Sequence, residues 1–239
     1  MAAGVCSGYI MAFLQTKLGV ESILAGIIVN TGLYTVNLAA MGFSSNLSLF
    51  KCETVYSLGK GLFGATWYKL GISAVIVVIV CLLLKWFLGT RLGLSIRATG
   101  DNEDMVRASS INPGFTVTVG LCVSGAMTAL SGCLIGQYQK SCDINLGTGM
   151  VTIALASLII GETLVGKRTV TRRMIGAVLG SCLYRFAIAI ALRLHVPAEC
   201  LKLVSSVIVA VAIAAPYIKS RAAFQRKKMA AAKGGNTSC

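Results

Sequence analysis

Leu70 to Leu88 reads LGISAVIVVIVCLLLKWFL, an unbroken apolar run whose reading decides the fold. Apolar residues follow one another without period-2 alternation, so the run is not a barrel strand. A bilayer core of about 30 Å is crossed by about 20 helical residues at roughly 1.5 Å each. A helix satisfies its backbone internally, as lipid requires. Leu70–Leu88 therefore predicts a membrane-spanning helix.

The same pattern recurs outward along the chain. Val20–Met41 lies before it, and Phe115–Tyr138, Thr148–Val165, Met174–Leu192 and Cys200–Ile218 follow. These six stretches come close to spanning length, with Thr148–Val165 the shortest. Ala2–Leu14 covers only about 20 Å at helical rise and is too short to cross alone. It has no basic segment ahead of it and so is not a signal peptide. The expected fold is an all-α polytopic bundle of about six membrane helices, plus a short first segment, over residues 1–218. Residues 219–239 form a basic tail, expected to be disordered.

The chain carries a net charge of +14, and most of it sits on alternate loops. One side collects Lys17, then Lys85, Arg91, Arg97 and Arg107, then Lys167, Arg168, Arg172 and Arg173, then the tail. The opposite side holds Lys51, Lys60, Lys69, Lys140, Arg193 and Lys202. The tail and both basic loops share a side only if seven segments are counted. The richer side is cytoplasmic by the positive-inside rule, which places the C-terminus in the cytoplasm. The charges flank membrane segments and are not interleaved with aromatics, so nucleic acid is not the partner.

Other features weigh little on function. Cys6, Cys81, Cys122, Cys133 and Cys182 fall in apolar runs and pack like small apolar groups. No cysteine pair has CxxC or zinc-ligand spacing, so no metal or cofactor is expected. Cys52, Cys142 and Cys200 share the outer side, where their redox state stays open. His195 reads as a loop residue, and a short helix is expected around Lys60–Trp67. The spacings Gly4/Gly8, Gly132/Gly136 and Gly176/Gly180 allow helix backbones to approach closely. Gly161-Glu-Thr-Leu-Val-Gly166-Lys167 begins like a phosphate-binding loop, but Arg168 stands where Ser or Thr would reach magnesium, and it ends an apolar helix. It is not a nucleotide site. Asn46-Leu-Ser48 and Asn236-Thr-Ser238 spell glycosylation sequons, without the secretory context that would give them meaning.

The segment richest in functional signals is Gly89–Gly114, GTRLGLSIRATGDNEDMVRASSINPG. Asp101 is expected to cap a short helix with Asp104 at its third position, and Asn112-Pro113 to stop it. Met105, Val106 and Ala108 are its expected exposed apolar and small residues, flanked by charges such as Arg107. The acidic start disfavours resting on an anionic leaflet, so a protein partner is the better occupant.

This loop resembles the coupling-helix segment of permease subunits from ATP-binding-cassette importers, in the branched-chain amino-acid, sugar and nucleoside permease group. Leu94–Asn112, LSIRATGDNEDMVRASSIN, carries most of the resemblance. Leu24-Ala-Gly-Ile-Ile, Leu130-Ser-Gly, Ile159-Ile-Gly-Glu162 and Tyr184-Arg185 agree, and together they are similar to the aromatic amino-acid, tryptophan/tyrosine-type subgroup. The resemblance implies a homodimer in the cell membrane, cytoplasmic ATP-binding subunits, an external solute-binding lipoprotein and no catalysis by this chain. It implies ATPase coupling through Asp101, Asp104, Met105, Val106 and Arg107. Members usually carry further membrane helices before the region matching Ala2, so the chain is expected to lack N-terminal helices.

Two polar features remain. Asn30, Tyr34 and Asn37 recur at i, i+4 and i+7 and share one helix face. They serve either helix–helix hydrogen bonds or the translocation path. Ser124, Thr128 and Ser131 show the same spacing. Arg185 falls near mid-membrane, where a bare charge costs at least roughly 2.5–3.5 kcal/mol. It needs backbone carbonyls, water in a dimer cavity, or Glu162, which lies roughly 10 Å away in depth. Apart from Glu162 the membrane runs are almost free of acids. That disfavours the alternative of an ion-coupled secondary transporter or channel. An inactive fragment is the remaining alternative.

Overall fold

The computed structural model describes residues 1–49, 54–58, 68–147, 150–166 and 169–193, with isolated positions 206, 207, 210 and 214. The seventh apolar stretch (those positions apart), the helix expected around Lys60–Trp67, Cys52, Cys200, His195, Lys167, Arg168 and the tail lie outside the described residues. The chain divides into two compact units, residues 1–146 and 147–239.

The first unit contains α1 (Ala2–Lys17), α2 (Ser22–Ala40), β1 (Asn46–Ser48), α3 (Val55–Leu58), α4 (Tyr68–Gly89), α5 (Arg91–Asp101), α6 (Glu103–Ala108), α7 (Pro113–Gln139) and β2 (Ser141–Asp143). The second contains α8 (Met150–Val165) and α9 (Val170–Arg193). Among the described residues, four helices are long and apolar enough to cross a membrane: α2, α4, α7 and α9. The two others, α1 and α8, have 16 residues each. The fold is the expected all-α membrane bundle, and each helix begins and ends within four residues of its apolar run.

Small residues hold each unit together internally. In α1 the buried residues Gly4, Gly8 and Ala12 form one stripe. It lies against α7 so closely that a Cβ at Gly4 would strike the Gly125 carbonyl oxygen, and one at Gly8 the Leu121 oxygen. The short first segment is thus a full member of the bundle. In the second unit, Ser157 and Gly161 of α8 meet Gly176 and Gly180 of α9, and Ala156 and Tyr184 are buried on the same two helices. A Cβ at Gly161 would collide with the Gly176 oxygen, and one at Gly180 with the Ser157 oxygen. Gly166, at φ +86°, makes the turn after α8.

One glycine reading is corrected. Among the described residues nothing lies within 4 Å of where a Cβ at Gly132 would stand, and a Cβ at Gly136 would lie 3.2 Å from the Cys142 Sγ, so the Gly132/Gly136 pair joins no two described helices. Gly161, which spells part of a phosphate loop, is a helix-packing residue.

At one end of α7, Lys140 adopts the left-handed conformation (φ 55°) and the chain turns into β2. Leu47 pairs with Cys142 in a two-stranded antiparallel ladder. Cys142 is a free thiol. Beside the ladder, the Val55 amide donates to Gln137 Oε1 at 3.2 Å. The buried Tyr56 ring meets Tyr138 edge-on at 5.9 Å. The Lys69 ammonium lies 5.1 Å from the centre of the Tyr138 ring, within cation–π range.

Gly125→Leu and Gly161→Leu force apart backbones in contact, and each is expected to cost at least about 1–3 kcal/mol of stability. Gly132→Ala is expected to be tolerated. Thermal unfolding of the detergent-solubilised variants checks this: equal melting of Gly125→Leu and Gly132→Ala contradicts the packing seam.

Candidate functional site

The Gly89–Gly114 segment folds into two helices where the sequence predicts one. Thr90 caps α5: its Oγ1 accepts from the Gly93 amide at 3.3 Å and donates to the Phe87 carbonyl at 2.6 Å. Gly93 is buried against the end of α4, where a Cβ would collide with the Phe87 oxygen. The chain therefore turns sharply between α4 and α5. Thr99 and Thr116, 2.8 Å apart through their hydroxyls, and Ile96 against Gly120 pin α5 to α7.

The cap of α6 is Asn102, not Asp101. Asn102 Oδ1 accepts from the Met105 amide at 3.2 Å, while Asp101 is the exposed last residue of α5. The amide side chain leaves Asp101 free to close the preceding helix, so the capping position falls one residue later than expected. Glu103 and Asp104 occupy the first turn, where carboxylates favour the helix dipole. Arg107 pairs with Glu103 at 2.9 Å, both being exposed. Such a surface pair contributes only about 0.3–0.5 kcal/mol.

The apolar residues of α6 separate. Met105 is 70% exposed and Val106 only 3%. The expectation that both face outward is corrected: Val106 packs beneath the helix, and its carbonyl accepts from the Ile111 amide at 3.3 Å. Asn112 Oδ1 then accepts from the Gly114 amide at 3.0 Å, and Pro113 opens α7. Both ends of the segment and its middle are thus capped. The exposed residues Asp101, Asp104, Met105 and Arg107 stand on a defined platform, with Val106 as its underside.

The polar α2 residues Asn30, Tyr34 and Asn37 are exposed, and no hydrogen bond joins their side chains to a described residue. In the second unit Arg185 is exposed beside the buried Tyr184, and it makes no hydrogen bond or ion pair with a described residue. The direct pair with Glu162 therefore does not form.

A further space was not legible in the sequence. A cavity of about 370 Å³ lies between α4 and α7 beneath the Tyr56–Tyr138 contact, lined mainly by aliphatic residues with Ser73 and Ser131. Ser131 was recognisable only as part of a polar spacing. The Tyr56–Ser73 contact, 3.1 Å between hydroxyls, depends on where α3 sits and has no local signal.

Residues 1–218 match the family described as the permease component of branched-chain amino acid transport systems. This chain belongs to that family. A tyrosine transport system permease from Clostridioides difficile is 34% identical over 206 residues, covering 86% of this chain and 67% of the relative. An uncharacterised protein from Rickettsia prowazekii is 28% identical over 217 residues, covering 88% and 75%. A ribose import permease from Haemophilus influenzae is 30% identical over 181 residues, covering 73% of this permease and 51% of the relative. No solved structure matches. Membership makes this permease an integral protein of the inner membrane and a transport protein rather than an enzyme.

Replacing Asn102 with Ala removes the α6 cap and is expected to cost about 0.5–2 kcal/mol locally. Asp101→Ala removes no capping bond. Amide exchange over residues 103–108 separates them: it should accelerate in Asn102→Ala and stay near the parent rate in Asp101→Ala. The reverse order contradicts the assigned cap.

Proposed function

We propose that this permease forms the membrane pathway of an ATP-driven importer for an amino acid, with tyrosine and tryptophan as the first solutes to test. An external solute-binding lipoprotein delivers the solute, and two copies of the chain enclose the route. The observation that carries the reading is the mounting of α6. A short helix outside the spanning segments is capped at both ends, anchored by Val106, and presents Met105 with charges around it. An exposed methionine on a fixed short helix suits a partner that must push on the membrane helices, because a rigid lever transmits motion. The α5–α6 end then faces the cytoplasm and the ATP-binding subunits, as does the C-terminus. The β1–β2 end faces the binding protein. The solute class rests on the 34% identity to the tyrosine permease.

Asn30, Tyr34 and Asn37 are proposed to line the route on α2, and Arg185 to contribute from α9. None has a polar partner among the described residues, as expected of groups that meet water or solute. A route fed by a selective binding protein needs only a mildly polar wall.

The decisive experiment co-purifies the tagged chain from its native membrane and measures uptake of labelled tyrosine, tryptophan and leucine. An ATPase partner with ATP-dependent uptake supports the reading. A gradient-driven flux by this chain alone replaces it with a secondary transporter, and neither outcome leaves an assembly fragment.

Met105→Glu is expected to keep the fold and lose the ATPase, weakening the contact by about 2–5 kcal/mol. Val106→Asp instead buries a charge and unfolds α6. If ATPase binding and solute-stimulated hydrolysis persist in Met105→Glu, Met105 is not at the docking surface.

Arg185→Leu is expected to insert and fold but to reduce transport at least about tenfold, since a charge at membrane depth is retained for function. Arg185→Lys should retain part of it. Normal uptake by the Leu variant removes Arg185 from the pathway.

A further inference from the structure

The elbow between α4 and α5 carries a feature that solute transport does not use. Leu82, Lys85, Trp86 and Gly89 fall at i, i+3, i+4 and i+7 and form one stripe of α4. With Thr90 they line a cleft of about 440 Å³. Trp86 is 73% exposed. Lys85 and Arg91 are exposed too, and neither pairs with a described residue through its side chain. The chain contains no acid from Tyr68 to Gly100, so the positive charge is not compensated locally.

We propose that this cleft binds the headgroup of an anionic phospholipid. Leu82 lies one turn deeper in the spanning helix, where it meets an acyl chain. The Trp86 ring sits at headgroup depth, where amphipathic aromatics concentrate. Lys85 and Arg91 meet the phosphate and the headgroup charge, and Gly89 leaves room for them. The Thr90 cap and the Gly93 contact hold Arg91 next to this stripe. A water-soluble acidic partner fits less well, because Trp86 and Leu82 belong to a helix that crosses the bilayer. The assignment to the cytoplasmic leaflet rests on the orientation proposed above; headgroup selection does not.

The test uses Trp86 as its own reporter. The chain has two tryptophans, so Trp67→Phe isolates Trp86. The protein is placed in phosphatidylcholine nanodiscs containing a minority of acyl-brominated phosphatidylglycerol or, in parallel, acyl-brominated phosphatidylcholine. Stronger quenching by the phosphatidylglycerol is expected. Each surface cation contributes about fivefold to the preference, so Lys85→Gln with Arg91→Gln should abolish it. Equal quenching by both lipids overturns the proposal, as does a preference that survives the double substitution. If Trp67→Phe does not fold, the preference is read in the parent chain, where it must disappear on Trp86→Phe. The readout needs no ATPase and no solute, so a failed transport assay leaves it standing and a lost lipid preference leaves the transport reading standing.

Discussion

Contact between backbones, not between large side chains, holds each unit together. Lipid tails are as apolar as leucine, so helices gain nothing by hiding leucine from them; association comes from close packing. Gly4, Gly8 and Gly125 let α1 and α7 touch through their main chains. Gly161, Gly176 and Gly180 do the same for α8 and α9. Many large apolar side chains point away, Ile23, Trp86 and Val151 being at least 70% exposed, while Tyr184 and Tyr56 are buried. That inversion of a soluble core follows from the solvent. It leaves the few polar placements to be decided by local hydrogen bonding.

The α4–α7 connection shows how local bonding does this. Thr90, Asn102 and Asn112 each place a side-chain oxygen on an amide that a helix start leaves unpaired. Three caps within the segment set where each helix begins, and the Thr99–Thr116 contact ties the first of them to α7. With the turns fixed, the position of Met105 is fixed. The exposed platform is set by backbone satisfaction together with the buried Val106.

What the sequence revealed and what it hid divide along physical lines. Long apolar runs are set by the bilayer thickness, so the ends of α4 and α9 could be read within a few residues. The cap of α6 was misplaced because Asp101 and Asn102 are adjacent and both are good caps; only the end of α5 decides between them. Helix α5 went unrecognised because Gly93 and Gly100 dilute its pattern, although Thr90 is a start signal. The exposure of Val106 depends on the underside of α6 meeting α7, which the segment alone does not encode. Gly132/Gly136 and Gly4/Gly8 have the same spacing, and only the presence of a facing helix among the described residues separates them. Gly125 and Gly161 had signals that went unread: Gly125-xxx-Ala129 and Ser157-xxx-Gly161 each place small residues one turn apart. The Tyr56–Tyr138 lid over the α4–α7 cavity rests on a four-residue helix with no periodic signal.

Coupling depends on which end of the first unit meets the ATP-binding subunits. A photo-crosslinking residue placed at position 105, and separately at position 47 in β1, measures that most directly in membranes containing the whole assembly. Position 105 is predicted to give a covalent adduct with the ATPase on illumination, and position 47 none. An ATPase adduct at 47, or none at 105 while the assembly still hydrolyses ATP in response to solute, contradicts the account.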